Sequence, residues 1–537
     1  MSTAKKGTIA FLIIALIYTL YAAVYIYRTS FVVNGERYFV LFDDAMISMR
    51  FAKNLAQGHG LVWNPGGERI EGYTNPLWVL FMALFHLLPI SLSKTSLFVQ
   101  LSGAILLVAN LYFVNKVAIA LSKSLLVGVL AMLLTAFYSP LNNWGLQGME
   151  VSALTLIVSV SLWLSLENLR LQRFTPWLYL LLGASTLIRL DAAVPYLIIL
   201  AFFVLFDPAH RSRHLVWGLG LFALFIGGQT LLRWAYYGDL LPNTYYLKMT
   251  GYPALFRIAR GFFVLFQFIW RFNWLLFLFP LTLLFFRRDR YVALCFLLVV
   301  GQVAYSIYVG GDAWEHKGGS NRYFSIVMPV YFVLFVYAAD LVFKALASRL
   351  RPDARWTHNI SQLVTTVFVL LAMLQSNALL GEARDLERWL LLRQPTFVEG
   401  NKETVQIALD LAEITRPEAT VAVVAAGALP YFVDRPAIDL LGKVDPKIAR
   451  QPAHATPSLF GIKNFRPGHV KFDYDYSIGQ LKPDVIAQIF GEEKEVAKEY
   501  IDRYYTIGGA GGELTYSLRT GSPKVLWDKV QLYNPAP

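Results

Sequence analysis

The chain has 537 residues, 56% of them hydrophobic and 15% aromatic, with only 16% charged. That balance, with a mean hydropathy of +0.48, excludes an ordinary soluble enzyme and points to a protein that crosses a membrane repeatedly. The formal net charge of +12 would suggest nucleic acid in a soluble protein. Here it reads instead as Lys and Arg gathered in cytoplasmic loops, with the lipid bilayer and not nucleic acid as the partner.

Lys5 and Lys6 precede the first apolar run, 8–27, which is too long for a cleaved signal and reads as a retained anchor. Further apolar runs fall near 76–88, 96–115, 121–138, 151–166, 176–188, 194–206, 215–232, 269–286, 291–309, 324–343 and 362–379. Basic loops at Lys116/Lys123, Arg170/Arg173, Arg211/Arg213, Arg287/Arg288/Arg290 and Lys344/Arg349/Arg351/Arg355 should share the cytoplasmic side. They do so only if "PLWVLFMALFHLL", starting at Pro76, lies in the outer interface as a juxtamembrane helix. About eleven crossings then remain, with the N-terminus inside and the C-terminus outside. The stretch 176–206 becomes a hairpin of two short helices with Arg189 and Asp191 at its turn. Cys295 is the only cysteine, so no internal disulfide is possible.

From Gly381 the composition turns soluble. "TVAVVAAGALPYF" reads as a buried strand and a turn, and "AIDLLGKVDPKIAR" and "KPDVIAQIF" as strand and helix pieces. The expected organisation is a transmembrane catalytic domain, 1–380, followed by a periplasmic α/β domain, 381–537.

Chemistry-bearing residues gather on the outer side. In "DDAMISMRFAKNLA" Asp43 can cap a helix running to about Ala56, with Asp44 as its first residue. Asp43, Ile47, Arg50 and Asn54 would share one face. Capping explains one carboxylate; a general base acting on an acceptor hydroxyl explains why such a pair sits at a membrane exit. Arg189, Lys248 and Arg322 each lie at an outer helix end. Each alone fits a snorkelling or ion-paired residue; with Asn243, Tyr245 and Tyr246 they could form a pocket for a phosphate at headgroup level. Asp239, Asp312 and Glu315 are candidate ion-pair partners there. His316 has no second histidine at ligand spacing, so it is not assigned to a metal. The two Asp residues with Glu315 leave a divalent cation possible, but nothing requires a cofactor. No phosphate-cradling glycine loop occurs, which argues against a nucleotide donor.

These blocks resemble the GT-C glycosyltransferases: an acidic pair after the first membrane helix, a large first outer loop, a Pro-initiated juxtamembrane helix and a C-terminal outer domain. More narrowly, "DDAMISMRFAKNLAQGHGLVWNPGGERIEGYTNPLW", "YYGDLLPNTYYLKMTG", "GGDAWE…NRY" and "DLLGKVDPKIAR…FRPGHVKFDYDY" look like the mycobacterial terminal β-(1→2)-arabinofuranosyltransferase branch. The resemblance implies a polyprenyl-phosphate sugar donor, a periplasmic glycan or protein acceptor, and inversion in one displacement. It places the base at Asp43 or Asp44 and the donor phosphate at Lys248 and Arg322, with Arg189 a third candidate. Asn243, Tyr245, Tyr246, Asp312, Glu315 and His469 become substrate-binding candidates. The chain lacks the mycobacterial Ala and Arg bias, so the acceptor stays open. The rival classes are a polyprenyl-sugar transport or binding protein, and an enzyme using another lipid-linked sugar or a pyrophosphate donor. A transporter would place charge at the bilayer midplane and often shows repeats, and neither is visible here.

Overall fold

Long apolar runs bounded by polar loops form helices, because lipid leaves the backbone no other partner than itself. The computed structural model describes residues 3–315, 321–350, 354–378, 384–454, 459–491, 494–512 and 514–533. Among these, seven helices are long and apolar enough to cross a membrane: Lys5–Thr29, Leu92–Ser122, Val151–Leu171, Pro208–Tyr237, Arg290–Val309, Met328–Leu350 and Arg355–Asn377. The chain is a multi-pass membrane protein. Two bent pairs, Leu125–Ala136 with Ser139–Gly145 and Asn243–Met249 with Ala254–Phe272, raise the number to nine if each counts as one span. Of the eleven runs expected to cross, seven are these long helices, 121–138 is the first bent pair, and the other three lie on shorter apolar helices at Trp177–Ile188, Leu190–Phe206 and Trp274–Phe286; the second bent pair is not among the expected runs.

The chain clusters into two compact units. The first comprises Met1–Arg28, Gln100–Gln229 and Ile258–Thr396. Among the described residues its regular elements are all helices, and Met328–Leu350 is buried along most of its length, packing against Ala354–Ala378 and Leu125–Ala136. Polar side chains pin the bundle: Tyr18 donates to Asn142 Oδ1 at 2.8 Å and Tyr25 to Asn143 Oδ1 at 2.6 Å. The hairpin read from the sequence is present, with Trp177–Ile188 and Ala193–Phe206 joined through a single turn at Leu190–Ala192.

The second unit comprises Thr29–Val99, Thr230–Arg257 and Phe397–Pro537. It opens on a small hairpin, β1 (Phe31–Val33) and β2 (Glu36–Tyr38), turned by Asn34 and Gly35, both with positive φ. Asn-Gly is the pair that a two-residue turn between antiparallel strands favours. Helix Pro76–His86 follows, with Pro in its first turn, where a missing N–H costs nothing. Its 11 residues rise only about 16 Å, too short to span the hydrocarbon. It buries Trp78, Val79, Met82 and Ala83 while exposing Leu77, Leu80 and Leu84. One apolar face is against protein and the other is bare, as the juxtamembrane assignment expects.

The rest of this unit holds a six-stranded sheet, in the order β4-β3-β5-β7-β6-β8. Its strands are β3 (Val421–Val423), β4 (Ala437–Asp439), β5 (Val485–Ile486), β6 (Tyr505–Gly509), β7 (Tyr516–Arg519) and β8 (Gln531–Leu532). β3 runs parallel to β4 and β5, and the other pairings are antiparallel. The strand read in "TVAVVAAGALPYF" is β3, but the expected turn after it is a short helix, Ala428–Val433.

Candidate acid-pair site

Helix Asp43–Ala56 carries the two carboxylates in its first turn, where helix dipoles favour negative charge. Arg50 and Asn54, one turn apart on one face, both bond the Trp63 carbonyl, at 2.6 and 3.0 Å. Arg50 also donates to Asn64 Oδ1, to the Arg435 carbonyl and to the Pro430 carbonyl. Lys53 pairs with Asp434 at 2.7 Å. The second half of the helix is therefore clamped by Arg50, Lys53 and Asn54.

The capping expectation is corrected. The residue before the helix is Phe42, and no side chain caps the terminus. Asp43 Oδ1 instead accepts the backbone N–H of Ala428 at 2.9 Å. Ala428 opens the short helix after β3, preceded by Gly427. A Cβ added at Gly427 would lie 2.0 Å from the Asp43 carbonyl and 2.9 Å from the Ile47 nitrogen. Only glycine lets the two helix starts approach this closely.

Lys443 faces both acids. Its Nζ lies 3.5 Å from Asp44 Oδ1 and 3.9 Å from Asp43 Oδ2, with the lysine side chain 7% exposed. The loop that carries it is fixed from several directions. Asp439, ending β4, accepts the N–H of Leu441 at 2.9 Å and of Val444 at 2.8 Å. Asn243 Nδ2 donates to the carbonyls of Gly442 and Lys443 at 2.9 and 3.0 Å. The Asn243 amide in turn donates to the Glu71 carbonyl, and Glu71 pairs with Arg233. Gly442 turns the loop with φ +76°.

The electrostatics follow from this packing. Burial raises the Asp43 carboxyl above its ordinary value, opposed by the Lys443 charge and the Ala428 N–H, and assisted by Asp44. Burial penalises the Lys443 charge, yet Asp44 and Asp43 hold its pKa above the usual lysine value. Burial, with the charges of Lys443 and Lys248, pushes His469 down to about 3 against the pull of Asp44. His469 is thus a neutral imidazole in the field of two ammonium groups. Lys248 reaches toward it over Gly468, where an added Cβ would meet Lys248 Cε at 3.0 Å.

The structure thus places Asp43, Asp44, Lys248 and His469 in one neighbourhood of the second unit, with Asn243 behind it. Tyr245 and Tyr246 lie on the same short helix as Asn243. Tyr245 is exposed, and Tyr246 lies under the Arg450 guanidinium, 4.1 Å from its ring centre, where Arg450 pairs with Asp239. Lys443 escaped the sequence reading. It stood in the quoted "AIDLLGKVDPKIAR", but nothing local marks that lysine as the partner of acids 400 residues earlier.

The other candidates belong to the first unit. Arg189 donates to Asp191 at 2.5 and 2.8 Å and to Glu150 at 3.0 Å. Arg322 binds both oxygens of Asp312, at 2.9 and 3.1 Å. Glu315 pairs with Arg260 at 3.2 Å and accepts from Asn321 at 3.2 Å. Burial raises Glu315 above the ordinary carboxylate range, against the pull of Arg260. Both candidate arginines have their forks taken by carboxylates. His316 lies outside the described residues.

A family model described as a domain of unknown function, DUF8728, matches residues 394–524. No curated protein sequence matches the chain. Solved structures do. The apo crystal structure of ArnT from Cupriavidus metallidurans is similar over 96% of this chain and 98% of its own, with 13% identity and a TM-score of 0.53. An Archaeoglobus fulgidus oligosaccharyltransferase, crystallised with Zn and sulfate, covers 97% of this chain and 73% of its own, with 12% identity and a TM-score of 0.55. The archaeal oligosaccharyltransferase AglB from the same organism, in complex with an inhibitory peptide and a dolichol-phosphate, covers 98% and 75%, with 11% identity and a TM-score of 0.53. The chain shares the fold of these structures.

Proposed function

We propose that the protein is an inverting glycosyltransferase that takes a sugar from a polyprenyl-phosphate donor. The observation that carries this reading is the partly buried Asp43/Asp44 pair, with Asp43 aligned by Ala428 and both faced by Lys443. It stands on a fold shared with an enzyme whose structure contains a polyisoprenyl phosphate.

The chemistry needs few parts. Asp43 Oδ1 is occupied by the Ala428 amide, so Oδ2 is the oxygen placed to take a proton. An acceptor hydroxyl gives its proton to Oδ2 and attacks the anomeric carbon from the face opposite the lipid. The bond from that carbon to the phosphate oxygen breaks, and its electron pair leaves with the phosphate. Configuration inverts in one step without a covalent enzyme intermediate. Holding the two reactants in line supplies much of the rate. A fixed positive charge near the leaving oxygen supplies more. Lys248 is the better supported phosphate ligand, beside the neutral His469. Arg189 and Arg322 serve their own units of charge first, each bound to carboxylates.

The sugar we propose is D-arabinofuranose, on the resemblance of the four blocks quoted above to the terminal arabinofuranosyltransferases. The acceptor is a glycan or glycoprotein. The distribution of basic loops supports a site on the periplasmic face of the bacterial inner membrane. The test is transfer by purified protein from a panel of synthetic polyprenyl-phosphoryl sugars to a short arabinoside. Turnover with arabinose supports the whole reading, and turnover with another sugar alone removes arabinose. No turnover by folded protein with any lipid-phosphate donor contradicts it.

A further inference from the structure

We propose that Lys443 is the built-in counter-cation of the acid pair, occupying the place a divalent metal would take, so that transfer at Asp43 proceeds without a metal ion. The inference rests on the reading of Asp43 as the base, but its first half, the identity of the cation, can be tested apart from catalysis.

Two adjacent carboxylates in a partly buried site repel, which favours protonation of one of them unless a cation lies near both. Here an ammonium lies 3.5 Å from one and 3.9 Å from the other. Its position is imposed from outside the acid pair. The backbone that carries the lysine is held by the Asn243 bonds to the Gly442 and Lys443 carbonyls and by the Asp439 bonds that flank it. Val444 meets Gly72 so closely that a Cβ there would lie 2.0 Å from Val444 Cγ1. Such a loop is built to present one charge at one point.

The donor set does not suit a metal. Hard divalent cations want about six oxygen ligands or more, and one lone pair of Asp43 Oδ1 already accepts from Ala428. Among the described residues, no group of three His, Cys, Asp or Glu side chains is placed to hold an ion. A lysine point charge does the same electrostatic service: it lets the acids ionise while Asp43 remains basic enough to take a proton. Lys443 is therefore a positioning residue acting through the acid pair.

The test uses full-length protein in detergent and Mn2+ as the probe. Wild type should show no Mn2+ binding that depends on the acid pair, by electron paramagnetic resonance, and its turnover should survive EDTA. Lys443→Met should gain a Mn2+ site that disappears when Asp43→Asn and Asp44→Asn are added. Without metal its turnover should fall roughly a hundredfold, the cost of losing one preorganised charge, and its acid limb should move to higher pH. Added Mn2+ should restore part of the rate, and Lys443→Arg should remain active without it. The proposal is overturned if wild type binds Mn2+ through Asp43 and Asp44 or loses its turnover in EDTA. It is equally overturned if folded Lys443→Met gains no Mn2+ site. Should Lys443→Met fail to fold, the wild-type Mn2+ and EDTA results decide alone. Absence of turnover with every donor would sink the transferase reading, while the Mn2+ titration would still decide which cation the acids hold.

Discussion

Asp43 Oδ1 accepts the backbone amide of Ala428 at 2.9 Å, across 385 residues of sequence. A carboxylate that might have capped its own helix is turned to another helix start, and one of its oxygens is fixed by that bond. This leaves Oδ2 oriented toward Lys443 and gives the pair unequal roles. Asp43→Asn keeps an oxygen to accept from Ala428, so its thermal midpoint should stay within a few degrees of wild type. Its turnover should fall by about 10²- to 10⁴-fold, the usual contribution of a general base. Initial rates beside a melting curve check both halves.

Gly427 should tolerate no side chain. Its added Cβ would meet main-chain atoms, 2.0 Å from the Asp43 carbonyl, and backbone cannot swing aside as a side chain can. Gly427→Ala is expected to displace the first turn of Asp43–Ala56 and to lower turnover more than it lowers donor binding. Gly400, in helix Val398–Ile414, has open space around its added Cβ. Gly400→Ala should leave turnover alone and stabilise the protein by up to about 1 kcal/mol.

Asn243 holds the Lys443 loop by hydrogen bonds to the carbonyls of Gly442, Lys443 and Asp445, at 2.9, 3.0 and 3.4 Å. Asn243→Ala leaves those carbonyls short of a donor, at a cost of about 1–3 kcal/mol. Because the loop carries the counter-charge, kcat should fall while the donor KM changes little. Steady-state kinetics over a donor series separate the two. A rise in KM with unchanged kcat would instead make Asn243 a substrate ligand.

The rate should depend on pH with a definite sign. The base works ionised, and burial raises Asp43 above the ordinary Asp value. Activity should therefore rise with pH through a limb that lies above the usual aspartate range. His469, pushed down to about 3, stays neutral throughout and contributes no limb near 6. His469→Gln should accordingly leave the profile's shape unchanged. A pH series of kcat/KM for both proteins reads the difference.

Arg189 is expected to be structural. Arg189→Met leaves Glu150 and Asp191 buried with their partner gone, and breaking such a pair costs about 3–5 kcal/mol. The melting midpoint should drop sharply. A stable Arg189→Met protein with a raised donor KM would return this residue to the donor phosphate.

Much of this was legible in the sequence, for physical reasons that differ by element. Apolar runs report their own burial, so the long helices and the short hairpin at 177–206 could be read directly. The amphipathic helix Ala254–Phe272 could not. Its arginines at 257 and 260 look like loop residues, yet they turn inward to bond backbone carbonyls, while Phe262, Phe266 and Trp270 face out. In the site, Asp43 and Asp44 announced themselves by adjacency at a membrane exit. Lys443 and Ala428 did not, since a pairing across nearly 400 residues leaves no local pattern. A change of composition near Gly381 was visible, whereas the clustering of Thr29–Val99 with Phe397–Pro537 depends on contacts that composition does not encode.

The central claim is that Asp43 deprotonates an acceptor that displaces a lipid monophosphate. The most direct measurement is a single-turnover reaction of purified protein with polyprenyl-phosphoryl arabinofuranose and a short arabinoside, following both products by mass spectrometry. The account predicts one polyprenyl monophosphate released per glycoside formed, with inverted configuration, and both products formed about 10²- to 10⁴-fold more slowly by Asp43→Asn. Full turnover by folded Asp43→Asn, or product of retained configuration, would contradict it.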